Sequence, residues 1–348
     1  MTKIEITRPP LESLACVNSN CDLYGQIDQG NLYVRKMTGK DKTIRYLRCR
    51  CCQEEFSERK NTPLWRSKIP EKRAVSIAEH LSDGVGTKAT ARLTRSAEST
   101  VERLATRLGQ HGKQFHAENV QDIETDSLQA DERHGYAGNK ATAAWEGEVF
   151  DPKSKLVLSY EVGERNEEMI NNLLTDAAER VVDRHRIALF TDGLPSYATL
   201  FPRIFGYGYH PSRDTTVGRP YKLRYRIPRT AAHVQIIKHR RGKKLQAVEI
   251  VYQHGSKKRI DQALEALNYT VPNTSAIERR NGTARLMSAP QHRRTLAFAK
   301  RLDHKAAIGW WGVTVYNWCR QHSTLRRKLT QPQGKKNMNS VHRQWRPD

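Results

Sequence analysis

The sequence predicts a multi-domain α/β protein, and three observations carry that reading. Five of the six cysteines fall within 37 residues near the N-terminus. From residue 126 the apolar pattern changes from helical spacing to alternation, after which strand-like and helix-like runs follow one another. The charge is partitioned as well. Residues 1–130 carry 21 Lys/Arg against 17 Asp/Glu, residues 131–205 carry 9 against 13, and residues 206–348 carry 30 against 7. A net charge of +23 concentrated in one stretch draws polyanions and speeds encounter with them. A ribosomal or RNA-binding protein is also basic, so the field points to nucleic acid without naming a reaction. At 348 residues the chain has room for two or three domains, each with a core. No basic amphipathic stretch with an aromatic face stands out, and apolar runs such as 187–190 are too short for a bilayer, so no membrane partner is expected. The opening MTKIEITRPP lacks a charged-then-apolar signal pattern, and a cytoplasmic location is expected.

The first module, over 12–62, reads as a zinc ribbon. Cys16 and Cys21 form one pair and Cys49 and Cys52 the other, separated by segments (NLYVRKM, TIRYLRC) that alternate like strands. Four thiolates on two short turns satisfy tetrahedral Zn²⁺, and a structural metal substitutes for a core too small to fold alone. Disulfides are the competing reading, disfavoured in a reducing cytosol. Cys51 could replace Cys52, but the two-residue spacing favours Cys52. Cys319 reads as a buried small hydrophobe.

Residues 68–112 read as a helix-turn-helix. EKRAVSIAEHLSDG presents Val75, Ala78 and Leu81 on one side and stops at Gly84; TKATARL is a second, short helix. Ser96 is the expected N-cap of AESTVERLATRLG, with Gly109 as its stop. Ser99, Thr100, Arg103 and Arg107 would then face DNA. The plainer alternative is a three-helix bundle, in which Val101, Leu104 and Leu108 are its core stripe.

From 124 to 328 the pattern predicts a sheet domain. DSLQADERHGYAG, ATAAWEGEVFD and LVLSYEVGE read as strands turning at NK and PKSK. The helix NEEMINNLLTDAAERVVDRH follows, then the buried-type strand IALFTDG. Three antiparallel strands, a helix and a returning strand open a ribonuclease-H-like mixed β-sheet with flanking helices, where acids from the first strand, the fourth strand and a later helix converge. Asp131 and Asp192 occupy the two strand positions. Side chains alternate along a strand, so Asp131 and Glu132 point to opposite faces and only one is expected in the site. Either acid alone is more readily a solvated strand end. The third acid is Glu278, isolated among Arg279, Arg280 and Arg285: no other carboxylate lies between Glu265 and Asp303. An intrahelical ion pair is the plain reading of Glu278, and a metal ligand the sharper one.

In order along the chain, RYLRCRCCQEEFS with NTPLW, ADERHGYAGNK with Trp145, LFTDGLPSY, SAIERRNGTAR followed by RRTLAFAK and His304, and YNWCRQHSTLR resemble the IS-one-like family of bacterial insertion-sequence transposases. The resemblance spans residues 14–328. It implies an Asp–Asp–Glu triad at Asp131, Asp192 and Glu278, with Asn281 and Arg285 as the polar residues after the glutamate; Lys140 also matches. It further implies a bacterial, nucleoid-associated homo-oligomer acting on double-stranded DNA, namely terminal inverted repeats and target. On a helix Glu278, Asn281 and Arg285 share one face.

Two departures stand out. Glu278 follows Asp192 by 86 positions, and the intervening 206–270 carries 14 Lys/Arg against 4 Asp/Glu, which reads as a basic insertion gripping DNA. The ribbon and catalytic parts also share one continuous frame. Residues 329–348 read as a basic tail.

The implied chemistry is phosphoryl transfer with two Mg²⁺ (or Mn²⁺) ions roughly 3.5–4 Å apart. Asp131 would bridge them while Asp192 and Glu278 hold one each, and the neighbouring arginines and lysines would bind phosphates. Two other functions fit parts of the pattern: a non-catalytic regulator built on the ribbon and helix-turn-helix, and a ribonuclease-H-like nuclease without strand transfer.

Overall fold

The computed structural model describes residues 9–39, 42–211, 221–242, 244–293, 295–325, 327–333 and 336–339. Most of the proposed tail, part of the proposed basic insertion (212–220 and 243) and position 294 lie outside the described residues. Among the described residues no helix is long and apolar enough to cross a membrane.

The N-terminal module is a three-stranded antiparallel sheet of β1 (Leu32–Thr38), β2 (Ile44–Cys49) and β3 (Glu55–Ser57). Its core is small: Leu32, Leu47 and Phe56 beside Cys16, Cys21 and Cys49. A buried ion pair supplements it, with Arg45 Nε donating to Glu58 at 2.5 Å.

Three helices follow, α1 (Glu71–Ser82), α2 (Thr87–Leu93) and α3 (Glu98–Asn119). Ala74, Ile77 and Leu81 of α1 pack on Val101, Leu104 and Leu108 of α3. Two expectations about α3 need correction. Its N-cap is Ala97, with no side-chain cap bond, rather than Ser96. It also runs through Gly109 for 22 residues, because that glycine serves close packing and not termination. A Cβ at Gly109 would lie 2.0 Å from the carbonyl oxygen of Ala307, and one at Gly112 would lie 2.3 Å from the hydroxyl of Thr314. Both neighbours belong to α8 (Leu302–Thr314), so the two helices meet nearly backbone to backbone.

The central sheet has six strands: β4 (Ser127–Arg133), β7 (Trp145–Asp151), β8 (Leu156–Gly163), β9 (Ala188–Thr191), β12 (Ala232–Arg241) and β13 (Lys244–His254). Their spatial order is β13-β12-β9-β4-β7-β8. β7 pairs antiparallel with β4 on one side and β8 on the other, β9 runs parallel to β4, β12 parallel to β9, and β13 returns antiparallel. This mixed sheet with flanking helices is compatible with a ribonuclease-H-like core. The first strand is shorter than expected. Residues 136–143 leave it as a separate hairpin, β5 (Tyr136–Ala137) and β6 (Asn139–Ala143), turning at Gly138 with φ +79°.

Helix α4 (Glu167–Glu179) and helix α5 (Pro195–Phe205) cover one face, burying Leu173, Leu174, Tyr197 and Phe201 against Leu128, Val149 and Leu189. α4 stops before Val181, which bridges to Ile123, and Asp183 caps a short turn by accepting from the His185 amide; the helix expected through His185 is therefore broken. Short strands β10 (Tyr207–Tyr209) and β11 (Arg224–Arg226) pair beyond α5. The opposite face carries α6 (Lys257–Leu267), α7 (Ser275–Met287) and α8. The stretch read as a basic insertion thus supplies two strands of the main sheet and a packed helix: Ala232, Val234 and Ile236 are buried against Ile260 and Ala263.

Edge strand β8 is closed by side chains. Asn317 both accepts from the Val157 amide and donates to its carbonyl, and the His116 ring lies 2.7 Å from the Leu158 carbonyl. Asn317 sits in a π-helical turn, Val315–Cys319, that extends α8; there Cys319 is exposed, contrary to the buried position expected. The last pair, β14 (Arg327–Gln333) and β15 (Lys336–Asn339), forms a hairpin.

Candidate functional site

β4 and β9 run parallel side by side, so their C-terminal ends open at the same edge of the sheet. Asp131 lies near the end of β4, Asp192 follows β9 directly, and Glu278 stands in the first turn of α7. All three line one cleft of about 520 Å³.

Asp131 accepts from its neighbour's amide (Glu132, 2.9 Å) and from the Asn281 side-chain amide (2.7 Å). Burial, then the charges of Glu132 and Asp192, push its pKa up to about 7. Asp192 accepts from the Leu194 amide at 2.9 Å and from Arg165 at 3.2 Å. Glu278 accepts from the Thr274 hydroxyl at 2.6 Å and pairs with Lys238. Burial alone would raise its pKa, but the Lys238 and Thr274 bonds outweigh it and hold the carboxyl low.

Asp131, Glu132 and Asp192 bring carboxylate oxygens within 4.8 Å of one another. The expected exclusion of Glu132 therefore fails, although alternation itself holds. Asp131 meets Asn281 of α7, whereas Glu132 meets the Tyr197 hydroxyl of α5 and Arg165 Nε at 3.0 Å. The longer glutamate side chain still reaches the strand end. Crowded acids with one carboxyl pushed toward neutrality fit a cation site, and hard oxygen donors suit Mg²⁺ or Mn²⁺.

Asn281 is buried and also accepts from Arg133 at 2.6 Å, which fixes its amide. Arg133 in turn donates to Glu148 at 2.8 Å. Arg280, expected among the DNA contacts, is instead buried against Glu148 at 2.9 Å and over the Tyr316 ring. Burial makes it a partner of the core carboxylate, not of phosphate. Arg279 is exposed. Arg285 is half-buried; burial, Arg293 and Arg133 lower its pKa while Asp131 acts against them. Lys140 is exposed on β6. Arg165 and Lys238 were not singled out from sequence. One lies in the loop after β8 and the other far along β12, and only the folded sheet brings them to the acids.

In the N-terminal module the sulfurs of Cys16, Cys21, Cys49 and Cys52 cluster within 4.8 Å of one another, and Cys51 points outward. Cys16–Cys52 and Cys21–Cys49 are separated by 3.6 and 3.9 Å. A disulfide is about 2 Å long, whereas a tetrahedron with 2.3 Å metal–sulfur bonds has edges of about 3.8 Å. The spacing therefore fits four ligands around Zn²⁺. Asn31 donates to Cys49 Sγ at 3.3 Å. Burial raises the Cys49 thiol, but the amides of Cys52 and Cys51 and the Asn31 side chain outweigh it and bring it to about 7.

Of the residues expected to face DNA, Ser99, Arg103 and Arg107 are exposed and Thr100 is half-buried. Arg107 donates to the Trp65 carbonyl at 2.9 Å, joining α3 to the segment after the N-terminal module. Thr100, Arg103 and Arg107 line a cleft of about 560 Å³ with Arg66, Lys68, Arg73 and Arg95, and no carboxylate is among its described lining residues.

Fold and cleft together define a mixed α/β protein with an acidic site at the sheet edge. No protein-family model matches the chain, and no curated protein does. Among solved structures, the crystal structure of the Mos1 strand transfer complex matches at 13% identity with a TM-score of 0.19. The match covers 39% of this chain and 56% of that one.

Proposed function

We propose that the chain is a transposase of the IS-one-like kind, which binds terminal inverted repeats and cuts and joins DNA with divalent metal. One observation carries the reading: Asp131, Asp192 and Glu278, from two parallel strand ends and a later helix, line a single cleft. Asp131 and Asp192, with Glu278 beside them, would hold the metal. Bound there, a divalent cation supplies activation of a water or DNA 3′-hydroxyl and neutralises charge on the transferring phosphoryl group. The chain's own residues do the rest. Asn281 orients Asp131, Thr274 orients Glu278, and the exposed Arg240 and Arg241 of β12 extend a basic surface from the cleft for the DNA backbone. The four-cysteine module reads as a zinc ribbon and α1–α3 as a helix-turn-helix, with their basic cleft gripping repeat DNA.

A nuclease without strand transfer is the second reading, and the proximity of Glu132 to Asp131 and Asp192 favours it. Its third acid would be Glu132. The test is a cleavage and strand-transfer assay with Mg²⁺ or Mn²⁺ on duplexes ending in the inverted repeats that flank the gene. Cleaved and joined products from the wild type, absent with Asp131→Asn and Asp192→Asn, support the transposase. Cleavage without joining supports the nuclease.

A further inference from the structure

β12 leaves the sheet carrying cations. Over 232–235 it is buried and paired with β9; beyond Ile237 only β13 accompanies it, and its side chains become exposed. Residues two apart share a strand face, so Lys238 and Arg240 continue the side of Ile236, and both line the acidic cleft. His239 turns the other way and pairs with Glu249 at 2.8 Å.

The cations of the cleft differ in how firmly they are held. Arg165 bonds two carboxylates, Glu132 and Asp192, and lies over the Trp145 ring at 4.7 Å. Its planar guanidinium is fixed by three partners. Among the described residues Lys238 has a single carboxylate partner, Glu278, and that pair is part-exposed, with 29% and 45% of the two side chains open to solvent. Its compact charge rides on a flexible four-carbon stem. A pair of this kind breaks at small cost. A metal ligated by Glu278 and a DNA strand needing cations for its phosphates make opposite demands on the same contact, and one side-chain movement answers both.

We propose that Lys238 is an exchangeable phosphate ligand. It closes on Glu278 while the cleft holds no divalent cation, and turns to a phosphate of the bound strand, beside Arg240, when Glu278 takes the metal. The inference rests on the metal-dependent DNA reading given above.

The test uses the full chain and Mn²⁺ alone as first probe, followed by electron paramagnetic resonance or calorimetry. Without DNA, Lys238→Ala binds Mn²⁺ about two- to fivefold tighter than wild type, the range a part-exposed ion pair is worth, and gains more than Arg240→Ala, whose charge acts on Glu278 only through space. The second measurement is duplex affinity against salt, read at short times before cleavage. With Mn²⁺ present, Lys238→Ala and Arg240→Ala each flatten the slope by about one phosphate contact; without Mn²⁺ only Arg240→Ala does so. A Lys238→Ala protein that binds Mn²⁺ no tighter, or loses slope equally with and without metal, overturns the exchange. Mn²⁺ binding that survives Asp131→Asn with Asp192→Asn overturns the metal-site reading beneath it instead.

Discussion

Asn281 donates its side-chain amide to Asp131 at 2.7 Å across 150 positions of chain, and so ties helix α7 to the first strand of the central sheet. Its carbonyl oxygen accepts from buried Arg133, itself held by Glu148. Replacing Asn281 with alanine leaves an arginine donor unmatched and Asp131 free to rotate. We expect a loss of about 1–3 kcal/mol in stability and Mn²⁺ affinity weaker by about 10–100-fold. Thermal unfolding and metal titration measure the two effects separately.

Zinc content tests the cysteine cluster. Cys49→Ala removes a buried thiol of the cluster, so the variant should hold no zinc and its N-terminal module should unfold, with weaker binding to repeat DNA. Cys51→Ser should retain wild-type zinc, since that thiol is exposed and outside the cluster. Normal metal content in Cys49→Ala would contradict the assignment.

Two buried histidines predict acid sensitivity. Burial lowers His116 to about 4 and His233 to about 3, from 6.5. The unfolded chain thus binds more protons than the native one below the ordinary histidine range. Their contribution to stability is complete above about pH 6.5 and falls as pH drops toward 4 and then 3, by about 1.4 kcal/mol per unit for each histidine. In urea unfolding His116→Gln should lose less stability than wild type between pH 7 and pH 4.5, while Asp131, with its pKa raised to about 7, works the other way over that window and offsets part of the loss.

A pair of glycines in helices gives opposite signs. Gly109→Ala would press a methyl into the Ala307 backbone, forcing α3 from α8 at about 1–3 kcal/mol. Gly282, on an exposed position of α7, has nothing within 4 Å of an added Cβ, so Gly282→Ala should stabilise by about 0.5–1 kcal/mol. Melting temperatures of the two variants check the contrast.

Local pattern made much of this legible. Alternation in LVLSYEVGE and the run IALF marked β8 and β9, and cysteine spacing marked the sulfur cluster with Cys52 preferred over Cys51. What pattern could not reach was set by distant partners. Gly109 looked like a helix stop because nothing nearby in sequence announces that α8 comes against it. Charge density over 206–270 masked the buried AHVQII of β12, which joins the sheet only because β9 offers it a parallel edge. Arg280 looked like a phosphate contact until Glu148, from another strand, claimed it in the interior. Asp131, Asp192 and Glu278 stand out in the sequence, whereas Glu132 is set aside by strand alternation, and Arg165 and Lys238, which pair with Glu132, Asp192 and Glu278, carry no local signal.

The most direct measurement is strand cleavage and joining by Glu278→Gln on terminal-repeat duplexes in Mg²⁺, beside an assay of binding to the same DNA. The account predicts that the variant binds the repeats as the wild type does but forms neither cleaved nor joined product. Cleavage retained by Glu278→Gln and lost in Glu132→Gln would contradict it, and would move the third acid of the site from α7 to β4.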